Sequence, residues 1–183
     1  MRAMIGEETF HPDTRALLAY GRALAGAVDP AARPAPGGGA DRVVERLFVM
    51  DRRRDGALVL RTFGAELIAL FGGDPRGKDF LAFFPKADQA LISTFVESVN
   101  AAGLPGVLRV NAETNDGRHL GAEILITPLR VPPVAADRLL GLFQPLGGEA
   151  LVEGRTIARL KLGAMHPPVA RAKAGLRLVV NNG

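Results

Sequence analysis

The fold of this chain is decided by three segments, Val107-Leu-Arg-Val-Asn-Ala-Glu113, Leu120-Gly-Ala-Glu-Ile-Leu-Ile126 and Arg138-Leu-Leu-Gly-Leu-Phe143. Their apolar residues recur at short intervals with few polar residues between them, a pattern typical of β-strands. Asn115-Asp-Gly117 separates the first two segments, and Asp-Gly between two such runs indicates a hairpin because glycine takes positive φ without steric cost. The sequence therefore predicts an antiparallel three-stranded meander, and other elements must cover its apolar face.

The composition is that of a globular protein without cysteine chemistry. Of its 183 residues, 48% are hydrophobic and 23% are charged, and none is cysteine. Disulfides, thiolate catalysis and zinc–sulfur sites are therefore excluded. No apolar run approaches the roughly 20 residues that a membrane span requires. The acidic N-terminus (Glu7, Glu8, Asp13) also lacks the apolar stretch of a signal peptide, so we expect a cytoplasmic protein.

The net charge of +4 comes from the C-terminal end of the chain. From Gly154 onward there are six basic residues and no acidic residue. They are Arg155, Arg159, Lys161, Arg171, Lys173 and Arg177. Such a basic tail could bind an anionic partner. It carries no aromatic residue to stack on bases, so we do not expect that partner to be nucleic acid.

Two strands and three helices are predicted before the meander. The strands are Val43–Met50 and Ala57–Arg61, joined by an Arg-Arg-Arg-Asp-Gly turn, and the helices are Gly64–Phe71, Phe80–Phe84 and Asp88–Ala102. Asp79 is in position to cap the second of these helices. The whole order is strand, strand, helices, then three strands. A further helix, Thr14–Val28, precedes a Pro- and Gly-rich linker that extends from Asp29 to Ala40.

This order resembles the PAS fold, and several short motifs are similar to those of the small stand-alone PAS proteins of alphaproteobacteria. The motifs are Leu60-Arg-Thr-Phe-Gly64, Ala65-Glu-Leu-Ile-Ala-Leu-Phe-Gly72, Gly77-Lys-Asp-Phe80, Leu125-Ile-Thr-Pro-Leu129 and Asp137-Arg-Leu-Leu-Gly-Leu-Phe143. The resemblance covers roughly residues 11–147. It implies an α+β fold with a five-stranded antiparallel sheet, a helical insert and an N-terminal helix extension. We accordingly expect an N-terminal helix and linker at 1–41, a PAS-like domain at 42–147 and a basic extension at 148–183.

The resemblance also implies signal transduction by ligand sensing or protein contacts, without catalysis. A small apolar ligand would be bound by Leu60, Leu67, Leu70, Phe80, Phe95, Val110, Ile124 and Leu142, unless these side chains simply form a packed core. No cofactor is expected. The flavin–cysteinyl type of light sensing needs a cysteine, and haem-binding PAS domains use a histidine on the long helix, where residues 88–102 contain none.

A second apolar face of the meander predicts a protein interface. The residues assigned to it are Leu17, Tyr20, Leu24 and Val28 on the first helix, and Leu125, Leu139 and Phe143 on the sheet. A sheet with one solvated face should alternate, whereas these strands are apolar on both sides. We therefore expect the first helix, a second copy in a homodimer, or a separate signalling protein to cover this face.

Catalytic and metal-binding groups are sparse. The two serines, Ser93 and Ser98, lie on the long helix, and the histidines are far apart in sequence. Glu113 and Glu123 lie roughly across the hairpin, where we expect them to face solvent. We assign no catalytic or metal-binding residue. Two alternatives remain: a small enzyme or carrier that uses the PAS-type pocket, and an anion-binding regulator that acts through the basic tail.

Overall fold

The computed structural model describes residues 9–26, 43–129, 138–148, 150 and 153–169. The helices within these ranges are α1 (Pro12–Gly26), α2 (Ala65–Leu70) and α3 (Lys86–Ala102), with a short 3₁₀ helix at Phe80–Phe83. The strands are β1 (Leu47–Arg52), β2 (Leu58–Phe63), β3 (Gly106–Thr114), β4 (His119–Pro128), β5 (Arg138–Pro145) and β6 (Ile157–His166).

The strands form one antiparallel sheet in the order β2-β1-β5-β4-β3-β6. The predicted meander is its centre, because β4 pairs with β3 on one side and with β5 on the other. The hairpin turn forms as expected: Gly117 has a φ of 81°, and its amide donates to the carbonyl of Thr114 at 3.0 Å. The α+β class, the helical insert and the N-terminal helix extension are confirmed.

The sheet has six strands, not five. β6 lies in the segment that was expected to be a basic extension, and it pairs with β3 along its whole length. Ile157 and Leu160 of β6 are 3% and 1% exposed. Two register shifts interrupt the pairing, one of them between Arg109 and Val110, so the apolar residues of β6 depart from strict alternation. A further apolar run of the same segment, Leu176-Arg-Leu-Val-Val180, lies outside the described residues.

The first strand begins later than predicted. Val43 and Val44 have helical backbone and a turn follows at Glu45-Arg46, where the Arg46 amide donates to the Val43 carbonyl at 3.0 Å; β1 starts at Leu47. The apolar pair Val43-Val44 suggested a strand, but Val44 is 58% exposed. The buried side chain in this turn is instead that of Arg46, which a strand pattern could not indicate.

The two faces of the sheet are covered by different helices. α2, the 3₁₀ helix and α3 cover what we call the inner face, and α1 covers the outer face by packing against β4 and β5. On the inner side Asp79 caps the 3₁₀ helix as predicted, because its carboxylate accepts the amide of Leu81 at 3.0 Å. The same carboxylate accepts the amide of Leu58 at 3.2 Å, which fastens this helix to the start of β2.

Candidate functional site: two faces of one sheet

Most of the residues predicted to bind a ligand lie together on the inner face. The buried ones are Leu60, Leu67, Phe80, Phe95, Val110 and Ile124, and Leu70 packs against them while partly buried. Leu142 is the exception, because its side chain belongs to the apolar cluster of the outer face. Seven of the eight residues chosen from the sequence therefore lie in one core. That this core binds a ligand stays a prediction.

The inner face is filled by its own aromatic side chains. Phe48 stacks on Phe80 with ring centroids 5.5 Å apart, and Phe71 meets Phe83 and Phe143 edge-on at 4.9 and 5.7 Å. The cavity lined by these rings measures about 10 Å³. That is about the smallest space that holds one water molecule. A ligand the size of a metabolite has no space here unless side chains move.

The side chains of β5 face the opposite way from our prediction. Leu139 and Phe143, assigned to the outer interface, are buried in the inner core, and Leu142 takes their place outside. The register explains this, because Leu125 of β4 pairs with Leu142 and Ile124 pairs with Phe143. A one-residue error in strand register moves every side chain to the other face. Both faces of β5 are apolar, so its sequence pattern could not fix which side was which.

Within the described residues, the outer face is already occupied by α1. Leu18, Val107, Leu125 and Leu142 form its buried cluster, with Leu17 packed against them. Tyr20 is half-buried. Of the remaining predicted residues, the side chain of Leu24 and the whole of Val28 lie outside the described part of the chain. Leu18, not assigned from sequence, is the most buried leucine that the structure describes on α1, at 4% exposure.

The carboxylate of Glu123 lies buried on the outer face, at a position where we expected a solvent-exposed charge. Glu123 is fully buried, and its Oε1 accepts hydrogen bonds from Nε and Nη2 of Arg109 at 3.3 and 3.2 Å. Its Oε2 accepts the backbone amide of His11 at 3.0 Å. A buried carboxylate is tolerated when it is paired and hydrogen-bonded in this way. Glu123 and Arg109 are register partners on neighbouring strands, whereas Glu113 pairs across to His119.

Arg109 connects this carboxylate to the N-terminal segment. Its Nη2 donates to the Thr9 carbonyl at 2.8 Å, and its guanidinium lies 5.3 Å from the centre of the Phe10 ring. On its other side Phe10 meets the His166 ring edge-on at 5.0 Å. Phe10 is 6% exposed. No sequence signal singled out Thr9, Phe10 or Arg109, because their contacts join segments about 100 residues apart.

A buried arginine, Arg46, joins the sheet to the helical insert. Arg46 is 6% exposed, and its Nε donates to the Glu66 carboxylate of α2 at 2.8 Å. Its Nη1 donates to Gln144 Oε1 at 3.3 Å, and Gln144 is also buried. Gln144 is the register partner of Glu123, so polar side chains follow one another across β3, β4 and β5. Arg46 thus links Gln144 of β5 to Glu66 of α2.

Two basic residues of the predicted tail are paired with the β3–β4 hairpin. Lys161 Nζ lies 2.6 Å from a carboxylate oxygen of Glu113, and Arg155 Nε donates to Asp116 at 2.7 Å. Hydrogen bonds from the Thr114 hydroxyl and from Arg155 lower the pKa of Asp116 to about 2. These ion pairs hold β6 and the segment before it against the β3–β4 hairpin. The paired side chains of Lys161 and Arg155 are therefore less available to bind a separate anion.

The groups considered for catalysis do not come together. Ser98 donates its hydroxyl to the Phe95 carbonyl of its own helix at 2.6 Å, and His119 is exposed beside the hairpin turn. Within the described ranges no group of three or more histidine, aspartate or glutamate side chains could hold a metal ion. None of the helices in those ranges has the length and apolar character needed to cross a membrane.

Solved structures with a similar fold are distant in sequence. A LOV protein of Rhodobacter sphaeroides is 15% identical with a TM-score of 0.46, and the match covers 62% of this chain and 70% of that chain. A fungal LOV domain photoreceptor is 16% identical with a TM-score of 0.46, covering 70% and 91%. A PAS domain from Colwellia psychrerythraea is 13% identical with a TM-score of 0.43, covering 58% and 93%.

No curated protein matches the sequence. The profile of the PAS domain family, by contrast, matches residues 9–144. This match begins at the Thr9–His11 segment, includes α1 and ends within β5, so β6 lies beyond it. It covers well over half of the chain, and the chain therefore belongs to the PAS domain family.

Proposed function

We propose that this protein is a non-catalytic sensory or adaptor PAS protein of the cytoplasm that transmits signals through protein contacts. In this proposal it works as a homodimer and passes its signal to separate signalling proteins. The observation that carries the proposal is the filled inner core. Of the two modes that PAS proteins offer, ligand sensing and protein contact, a closed aromatic core favours the second.

The aromatic packing gives the closed core an energetic basis. Phe48 and Phe80 are 2% and 4% exposed, and fully burying a side chain of this kind contributes roughly 1.5–3 kcal/mol. A ligand that entered between Leu60, Leu67 and Phe80 would first have to separate these contacts. We therefore propose that the resting protein contains no small apolar ligand.

The outer face is the proposed contact surface. α1 packs on it through Leu18, against Leu125 and Leu142 of the sheet. The segment between α1 and Val43 comprises 16 residues, 27–42, and is rich in Gly and Pro. A segment of that length would let α1 dock on its own sheet or on that of a second copy. We propose that exchange of α1, on Leu17, Leu18, Leu125 and Leu142, is how copies of this chain associate.

Thermal unfolding with a small aromatic probe tests the closed core. Phe80→Ala should create a cavity, lose about 3–5 kcal/mol of stability and then be partly restabilised by indole, since a dry apolar cavity takes up small aromatics. Leu67→Ala serves as a second cavity variant if Phe80→Ala does not fold. Leu91→Ala, at an α3 position that is 50% exposed, is the matched control and should gain nothing from indole.

The response of the wild-type protein to indole distinguishes a closed core from a ligand-binding core. We expect its melting temperature to stay unchanged as indole is added, as in the Leu91→Ala control. Saturable stabilisation of the wild-type protein by indole would show that its core opens to ligands, and ligand sensing would then replace protein contact as the preferred function.

A further inference from the structure

The N-terminal segment Thr9–His11, which we call the strap, holds α1 on the sheet through a small set of contacts. The Thr9 carbonyl accepts a hydrogen bond from Arg109, and the backbone amide of His11 donates to Glu123. Between them, Phe10 is buried with its ring 5.3 Å from the guanidinium of Arg109. Because α1 begins at the next residue, losing the strap would free the first turn of the helix.

His166, the last residue of β6, forms the other wall of the Phe10 site. The two rings meet edge-on at 5.0 Å, with an interplanar angle of 84°. Nε2 of His166 is buried, and no residue of the described ranges forms a hydrogen bond with it. A neutral imidazole tolerates this position, since the nitrogen without a proton is only an unused acceptor. A protonated imidazole would place an unpaired N–H donor and a positive charge there.

The charges around His166 oppose protonation. Arg109 on β3 carries a positive charge next to it, and Glu123 on β4 partly offsets that charge while already bonded to Arg109 and the strap. The start of α1 contributes His11, whose Nδ1 lies 3.7 Å from the carboxylate of Asp13. Burial, and secondarily Arg109, lowers the pKa of His166 below its ordinary value of 6.5.

We propose that the strap is a pH-dependent latch, in which protonation of His166 releases Phe10 from its site and frees the first turn of α1 from the outer face. The docked state takes up the His166 proton less readily than the released state, in which the imidazole is solvated. Docking of the strap is therefore strongest above pH 6.5, the ordinary pKa of the imidazole. It weakens as the pH falls below 6.5, and it stops weakening once the pH is below the lowered pKa of His166 in the docked state. The latch follows from these contacts alone, and its use in signalling rests on the proposed function.

A tryptophan at position 10 can report on the latch. The natural chain contains no tryptophan, and an indole ring retains the favourable contact with Arg109. In Phe10→Trp protein the emission maximum should move to longer wavelength as the pH is lowered from 7.5 to 5, with a midpoint below 6.5. Each unit by which the two states differ in pKa changes the docked-to-released ratio about tenfold.

Matched histidine variants assign the effect. His166→Gln in the same background should abolish the pH-dependent shift, while His119→Gln, at the exposed hairpin, should leave it in place. His11→Gln tests the histidine of the strap itself and should also leave the shift in place. A shift that persists in His166→Gln, or no shift in the parent protein, would overturn the proposal.

Hydrogen exchange on the natural sequence covers the case in which tryptophan itself displaces the strap. After correction for the intrinsic pH dependence of exchange, the amides of residues 15–18 should lose protection at pH 5.5 relative to pH 7.5, and those of β4 should not. These amides are the first of α1 to have helical acceptors, beginning with Arg15, which donates to the His11 carbonyl at 2.9 Å. Equal protection of residues 15–18 at both pH values would contradict the latch.

Discussion

Gly141 of β5 makes the filled core directly testable. A Cβ placed on this residue would lie 2.1 Å from Cζ of Phe48 and 2.4–2.5 Å from the neighbouring ring carbons. Carbon atoms in contact prefer a separation of roughly 3.5–4.0 Å, so the ring would have to retreat by about 1.5 Å. It cannot retreat freely, because Phe80 stacks on it at 5.5 Å and Phe63 lies 6.1 Å away.

The expected cost of Gly141→Ala follows from two opposing effects. Overpacking a core costs roughly 1–3 kcal/mol, whereas replacing glycine by alanine at an ordinary backbone conformation stabilises by roughly 0.4–1 kcal/mol. The variant should therefore lose about 1–2 kcal/mol in the free energy of unfolding, measured by urea titration. Gly121→Ala on β4 is the matched control, because the nearest atom to its new Cβ would be 3.9 Å away. It should be as stable as the wild type or slightly more stable.

A double-mutant cycle identifies the cause of the loss. Phe48→Leu removes the ring that occupies the space over Gly141, so Gly141→Ala should cost much less in that background than alone. The same cost in both backgrounds would mean that something other than Phe48 opposes the methyl group. A Gly141→Ala protein as stable as Gly121→Ala would refute the tightly packed core itself.

Further predictions concern β6, α1 and acid stability. Deleting residues 154–183 should lower the free energy of unfolding in urea by about 3–6 kcal/mol, because β6 contributes two buried side chains. Deleting only residues 170–183 should lower it far less. Equal losses in the two variants would mean that β6 is not part of the cooperatively folded unit. Leu18→Glu should detach α1 and alter the elution volume in size-exclusion chromatography, whereas Leu91→Glu on exposed α3 surface should not; identical elution would contradict docking of α1. Since the pKa of Asp116 is lowered from 3.8 to about 2, its contribution to stability is present above about pH 4 and is lost as the pH falls toward 2; a carboxyl NMR titration with a midpoint near 3.8 would disprove this pairing.

The sequence indicated the elements of the fold better than it indicated their faces. The β3–β4 hairpin and α3 could be predicted because Asp-Gly at 116–117 and the apolar spacing of 88–102 are local signals. The faces of β5 could not, since Leu139, Leu140, Leu142 and Phe143 are all apolar and only pairing with β4 decides their direction.

β6 and the strap were missed for a related reason. Counting charges after Gly154 made that region look like a basic extension outside the domain, yet Lys161 and Arg155 are paired with carboxylates that lie about 40 residues or more earlier in the chain. Likewise Glu123 looked like an exposed charge because its partners, Arg109 and the backbone of His11, come from separate segments. Contacts between distant segments leave no periodic signal in one sequence.

Native mass spectrometry of the purified 183-residue protein tests the filled core and the association through α1 in one experiment, because it reports bound small molecules and oligomeric state together. We expect a dimer whose mass equals that of two bare chains, at protein concentrations where Leu18→Glu yields a monomer. A reproducible stoichiometric adduct, lost on denaturation, would contradict the closed core, and a wild-type monomer under the same conditions would contradict association through α1.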